Sequence, residues 1–91
     1  MESNAKTPNF PAIAVLVSGS GTNLQAIIDD NIPVTLVVCD RYEIPSIERA
    51  QKAGIEHVVV DRKLYKGKRE EFTDKIVSEL KSRGIELVVF A

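Results

Sequence analysis

Short apolar runs alternate along the chain with stretches in which apolar residues return every three or four positions. Residues 12–17, Ala-Ile-Ala-Val-Leu-Val, carry no charge and are rich in β-branched side chains, as expected of a strand covered on both faces in a parallel sheet. Leu24, Ile27 and Ile28 follow at helical spacing, and Asn31, Ile32 and Pro33 end that pattern. A second apolar run at 34–39 predicts another strand. Pro45 opens a helix with Ile47 and Ala50 facing inward, closed by Lys52 and Gly54. Residues 56–60 predict a third strand and 61–69 a charged loop containing Gly67. A long helix then runs to about Arg83 with Phe72, Ile76, Val77 and Leu80 on its inner face, and 86–90 predicts a fourth strand.

Strands that alternate with helices build parallel β-α-β units joined by right-handed crossovers. The expected fold is therefore α/β, an open, mostly parallel four-stranded Rossmann-like sheet with helices on both faces. Such sheets bind ligands outside the carboxyl ends of their strands, where the strand order reverses. Residues 1–11 show no periodicity and read as a flexible extension, leaving 12–91 as one domain.

Composition narrows the picture. With 44% hydrophobic and 27% charged residues the chain is globular, and a net charge of −1 gives no general attraction to nucleic acid or to a membrane. The basic residues Arg62, Lys63, Lys66, Lys68 and Arg69 are followed by Glu70, Glu71 and Asp74, which marks a solvated face. Cys39 is the single cysteine, so no internal disulfide forms, and the expected compartment is the cytoplasm. Asp29, Asp30, Asp40 and Asp61 lack metal-ligand spacing, and no metal is expected. His57, the only histidine, falls at the start of a strand and reads as structural.

The chemistry concentrates between the first strand and the first helix, at Ser18-Gly19-Ser20-Gly21-Thr22-Asn23. Gly19 and Gly21 permit positive φ and close approach of a ligand, and Thr22 with Gln25 matches a capping box. Amides at a helix N-terminus favour an anion, and a phosphate suits them. No lysine lies between Gly19 and Pro33, which excludes a P-loop. Leu24 stands where the dinucleotide fingerprint wants a third small residue, although Asp40, about twenty residues on, is where that fingerprint's ribose-binding acid falls. Candidate phosphate-binding residues are Ser20, Gly21, Thr22 and Asn23. A valine at Gly21 is expected to oppose the positive φ and to block the anion.

The string from Ser18 to Ile28 closely resembles the phosphate loop of the phosphoribosylglycinamide formyltransferase family. Ile47-Glu48-Arg49-Ala50, Lys52-Ala53-Gly54-Ile55, Arg69-Glu70 and Leu87-Val88-Val89-Phe90-Ala91 fall in that family's order and approximate spacing, so the resemblance runs from Ala12 to Ala91. It implies the amino-terminal, phosphate-binding half of a purine-biosynthetic enzyme that transfers a formyl group from 10-formyltetrahydrofolate to glycinamide ribonucleotide. The fourth strand should then lie beside the first, and Arg69 should face the folate, toward its glutamate carboxylate, with Lys68 as the neighbour able to take that place. The family's catalytic Asn, His and Asp follow the residues present here. No catalytic residue is therefore assigned, and the 91 residues alone are expected to be inactive. A stand-alone, non-catalytic nucleotide- or phosphate-binding module is the alternative. The last strand has no proline and no charge after Glu86, so its edge invites self-association.

Overall fold

A computed structural model of the chain describes residues 11–17 and 19–91. The extension expected at 1–11 lies, apart from Pro11, outside the described residues.

Among the described residues four strands, β1 (Ile13–Val17), β2 (Leu36–Cys39), β3 (Glu56–Val59) and β4 (Leu87–Phe90), form one parallel sheet in the order β3-β2-β1-β4. The helices are α1 (Thr22–Asp29), α2 (Pro45–Lys52) and α3 (Arg69–Ser82). The β1-α1-β2 and β2-α2-β3 units step one way along the sheet, whereas α3 carries the chain back across it to β4 on the far side of β1. Because each crossover is right-handed, that reversal puts α3 on the opposite face from α1 and α2.

The two-residue period of β1 serves both layers. Ile13, Val15 and Val17 pack with Leu24, Val37, Cys39 and Ala50 under α1 and α2. Ala14 joins Leu36, Val38 and Val60 on the other face, where Phe72, Ile76 and Leu80 of α3 close over them. The central strands are sealed on both sides. β3 and β4 form the edges, and Leu87 and Phe90 stay exposed.

Several expected boundaries shift for local reasons. The ladder of β2 starts at Leu36, two residues after Val34, because Pro33 has no N–H to donate and Thr35 instead donates to the Ile13 carbonyl at 2.8 Å. Val60 leaves the strand but stays buried, its N–H bonded to Cys39 O at 2.9 Å. The charged loop holds a 3₁₀ turn, Arg62–Tyr65, capped by the Asp61 carboxylate accepting from the Lys63 N–H at 3.0 Å. Val77 was expected on the inner face of α3 and is instead 37% exposed. Phe72, Ile76 and Leu80 stand four apart and keep the contact row to themselves, leaving Val77 rotated toward solvent.

Candidate functional site

The carboxyl ends of β1, β2 and β4 meet at one end of the sheet, and the reversal of strand order falls between β1 and β4. From β1 the chain enters the glycine turn. Gly21 holds φ 82° and ψ 17° and is the N-cap of α1, a left-handed geometry that suits glycine. Its carbonyl accepts the Gln25 N–H at 2.8 Å. Ser20, Thr22 and Asn23 are exposed around it.

The capping box does not form. With Gly21 at the N-cap, Thr22 occupies the first helical position, and among the described residues no side chain caps the helix. Thr22 and Gln25 thus sit one residue too far along for the reciprocal bonds. Gln25 is engaged elsewhere: its Nε2 donates to Asp29 Oδ1 at 2.9 Å and its Oε1 accepts from Arg49 Nη1 at 3.1 Å.

The α2 helix contributes two contacts that sequence reasoning missed. Ser46 Oγ donates to the Gly19 carbonyl at 3.0 Å, and Arg49 Nε donates to the Ser20 carbonyl at 3.0 Å. Ser46 is fully buried, the one buried polar side chain among the described residues. A serine three residues before an arginine, on a face that continues to the buried Ala50, was the available signal. This packing adds a further consequence of a side chain at Gly21. An added Cβ would stand 2.6 Å from Ser46 Oγ and 3.0 Å from Arg49 Cδ, so it would strike α2 as well as straining the positive φ.

Beyond the turn, an open cavity of about 290 Å³ lies against α3 at the same end of the sheet, lined by Val17, Cys39, Asp40, Phe72, Phe90 and Ala91 among others. Burial, reinforced by the charge of Asp40, pushes the Cys39 thiol up to about 11, so it stays a neutral, unreactive filler. Asp40 pairs with Arg41 at 3.1 Å and Arg62 at 3.3 Å. Those partners occupy the carboxylate that a dinucleotide ribose would need.

Arg69 opens α3 and lines a separate basic depression of about 530 Å³ with Arg62, Tyr65, Lys66, Gly67 and Phe72. Phe72 borders both spaces, and Val17 connects the cavity in sequence to the glycine turn. Lys68 is the N-cap of α3. His57 lies on edge strand β3 opposite Val37, short of the carboxyl ends. Among the described residues no three His, Cys, Asp or Glu side chains converge as metal ligands, and no helix is long and apolar enough to cross a membrane.

Comparison with known proteins joins these features. A family model described as formyl transferase matches residues 12–91. The chain is 38% identical over 85 residues to a phosphoribosylglycinamide formyltransferase of Haemophilus influenzae, covering 87% of this chain and 40% of that protein. It is 35% identical over 89 residues to the trifunctional purine biosynthetic protein adenosine-3 of Gallus gallus, covering 91% of this chain and 9% of that one. Among solved structures, glycinamide ribonucleotide transformylase 1 from Geobacillus kaustophilus superposes with a TM-score of 0.83 at 36% identity, covering 90% of this chain and 46% of its own. The chain thus spans less than half the length of each of these proteins.

Proposed function

Since the chain belongs to the formyl transferase family, we propose that it supplies the substrate-orienting part of a phosphoribosylglycinamide formyltransferase in purine biosynthesis. The glycine turn holds the phosphate of glycinamide ribonucleotide through the amides of Gly21, Thr22 and Asn23, with Ser20 at its rim. One observation carries this: in a chain of that family, a left-handed Gly21 opens α1 at the carboxyl end of β1, where backbone amides and the helix dipole together favour an anion.

The formyl donor of the proposed reaction is 10-formyltetrahydrofolate. An apolar cavity bordered by Phe72 beside a basic depression suits a flat ring with an acidic tail, and Arg69 is the cation we assign to that tail. The glycinamide amine attacks the formyl carbon, the bond from that carbon to the folate nitrogen breaks, and tetrahydrofolate leaves carrying the proton the amine gives up; what these residues contribute is the placing of the amine, an entropic advantage rather than proton transfer. No catalytic residue is assigned among the 91. Metal plays no part in the proposal, nor does nucleic acid or membrane. We place the protein in the cytoplasm, where a lone cysteine stays reduced. The exposed edge of β4 is proposed to pair with a second copy of the chain.

Isothermal titration with glycinamide ribonucleotide and with its unphosphorylated nucleoside tests the phosphate assignment. The ribonucleotide is expected to bind and the nucleoside to show no saturable heat. Equal affinity for both would remove the glycine turn from the site.

A further inference from the structure

Three successive carbonyls of the glycine turn are taken by three different donors. Gly19 O accepts from Ser46 Oγ at 3.0 Å, Ser20 O from Arg49 Nε at 3.0 Å, and Gly21 O from the Gln25 N–H at 2.8 Å. All described peptide bonds are trans, and in a trans peptide the carbonyl and the N–H that follows it point in opposite directions. Turning the Gly19 and Ser20 carbonyls toward α2 therefore turns the Ser20 and Gly21 N–H groups away from it. Anchoring the Gly21 carbonyl in the first turn of α1 aims the Thr22 N–H out of the helix start. Among the described residues none of these three N–H groups meets an acceptor. They form a concavity of donors whose orientation is set from behind, by α2.

We infer that Ser46 and Arg49 are positioning residues for anion binding: they clamp the backs of two peptide units so that the fronts present N–H groups to a phosphate. The inference rests on the phosphate assignment above. Neither side chain needs to touch the ligand. Ser46 is fully buried, and the Arg49 guanidinium is already shared between Ser20 O and Gln25 Oε1. Gln25 in turn donates to Asp29, so the guanidinium plane is braced along α1 as well. Gly21 lets the clamp close, because an added Cβ would fill the contact with Ser46 and Arg49. Fixed donors bind an anion better than mobile ones because no ordering cost remains at binding.

Lysine at position 49 would keep the charge but lose the planar fork that reaches two acceptors at once, so Arg49→Lys separates geometry from charge. Ser46→Ala removes one hydroxyl with little change in volume and covers the case of an Arg49 variant that does not fold. With ¹⁵N-labelled protein and ribose 5-phosphate as probe, the Ser20, Gly21, Thr22 and Asn23 amide signals of the wild type should shift saturably. Both variants should bind about tenfold more weakly, the scale of one lost hydrogen bond to a charged or buried partner. In ligand-free samples the N–H residual dipolar couplings of Ser20 and Gly21 should change while those of β1 and β2 hold, which a general loss of stability would not produce. Ethylguanidinium, which replaces the side-chain atoms removed by Arg49→Ala, should restore part of the binding. If wild-type loop amides do not respond to ribose 5-phosphate, the phosphate assignment falls and the clamp's role with it. If the wild type binds and both variants bind within about twofold of it with unchanged couplings, the clamp alone is overturned.

Discussion

Gly21 shows two separable constraints on one residue. Its φ of 82° disfavours any side chain, and the space its Cβ would occupy already holds Ser46 and Arg49. Gly54 also has a positive φ, 72°, but nothing lies within 4 Å of its would-be Cβ. Alanine at Gly54 should therefore cost only the left-handed strain, about 1–2 kcal/mol. Alanine at Gly21 should add overpacking of about 1–3 kcal/mol to the same strain. Urea unfolding midpoints of the two variants check the order, and a Gly54→Ala loss equal to that of Gly21→Ala would contradict it. Sequence alone showed that Gly21 needed its freedom, because the turn joins an apolar run to a helical period. It could not show the contact with α2, since Ser46 and Arg49 lie more than twenty residues away and meet the turn only after the sheet brings α1 and α2 side by side. Thr22 and Gln25 misled for a related reason: their spacing fits a capping box, but a glycine one residue earlier took the cap.

At the level of elements, the strands were legible because burial on both faces leaves uninterrupted apolar runs, while the inner row of α3 was less so. Val77 satisfies the helical period as well as Ile76, and only the position of the sheet decides between them. Few sequence signals marked what pins the end of α3. Arg83, just past the helix, donates to Glu56 Oε2 of β3 at 2.7 Å and to Glu79 Oε1 at 2.7 Å, while Lys75 stands 3.1 Å from Glu79 Oε2. The hydrogen bond from Arg83 is the main cause holding both carboxyls below the ordinary value of 4.5. A carboxyl with a depressed folded-state pKa adds stability above its unfolded pKa and loses it as pH falls through the folded value. The contribution should accordingly be complete above about pH 5 and fade below about pH 4.5. Glu56 is exposed, so the effect should be modest and screened by salt. Arg83→Gln should lower the melting temperature at pH 7, and the difference from wild type should shrink toward pH 3 and in high salt. Equal differences at pH 7 and pH 3 would show that Arg83 acts through packing instead.

At the scale of the whole sheet, the described residues close its faces and leave its sides open. Among the described residues β4 pairs only with β1, bonding inward through the Leu87 N–H to Ala12 O at 3.1 Å and the Ala91 N–H to Leu16 O at 2.9 Å. Alternation along a parallel strand then turns the Val88 and Phe90 amides outward. Phe90 is 80% exposed and Leu87 46%, so the open ladder is flanked by apolar side chains with no charge among residues 87–91. The opposite edge differs, because β3 begins with Glu56 paired to Arg83 and so carries charges that discourage strand addition. Association should therefore run through β4. A second copy meeting it would gain main-chain hydrogen bonds and cover Phe90 together. Phe90→Lys places a charge on that edge without disturbing the bonds to β1, since the Phe90 N–H is not among them. Light scattering behind size exclusion should show the wild-type mass rising with concentration and the Phe90→Lys mass remaining that of a monomer. Formyl transfer from 10-formyltetrahydrofolate, assayed on the same fractions, should stay at background in both, because the role proposed for these residues is to orient substrate and not to carry out the transfer, whether or not the edge is paired. A wild type that stays monomeric throughout would refute association through β4, and turnover in either fraction would refute the assignment of these residues to positioning alone.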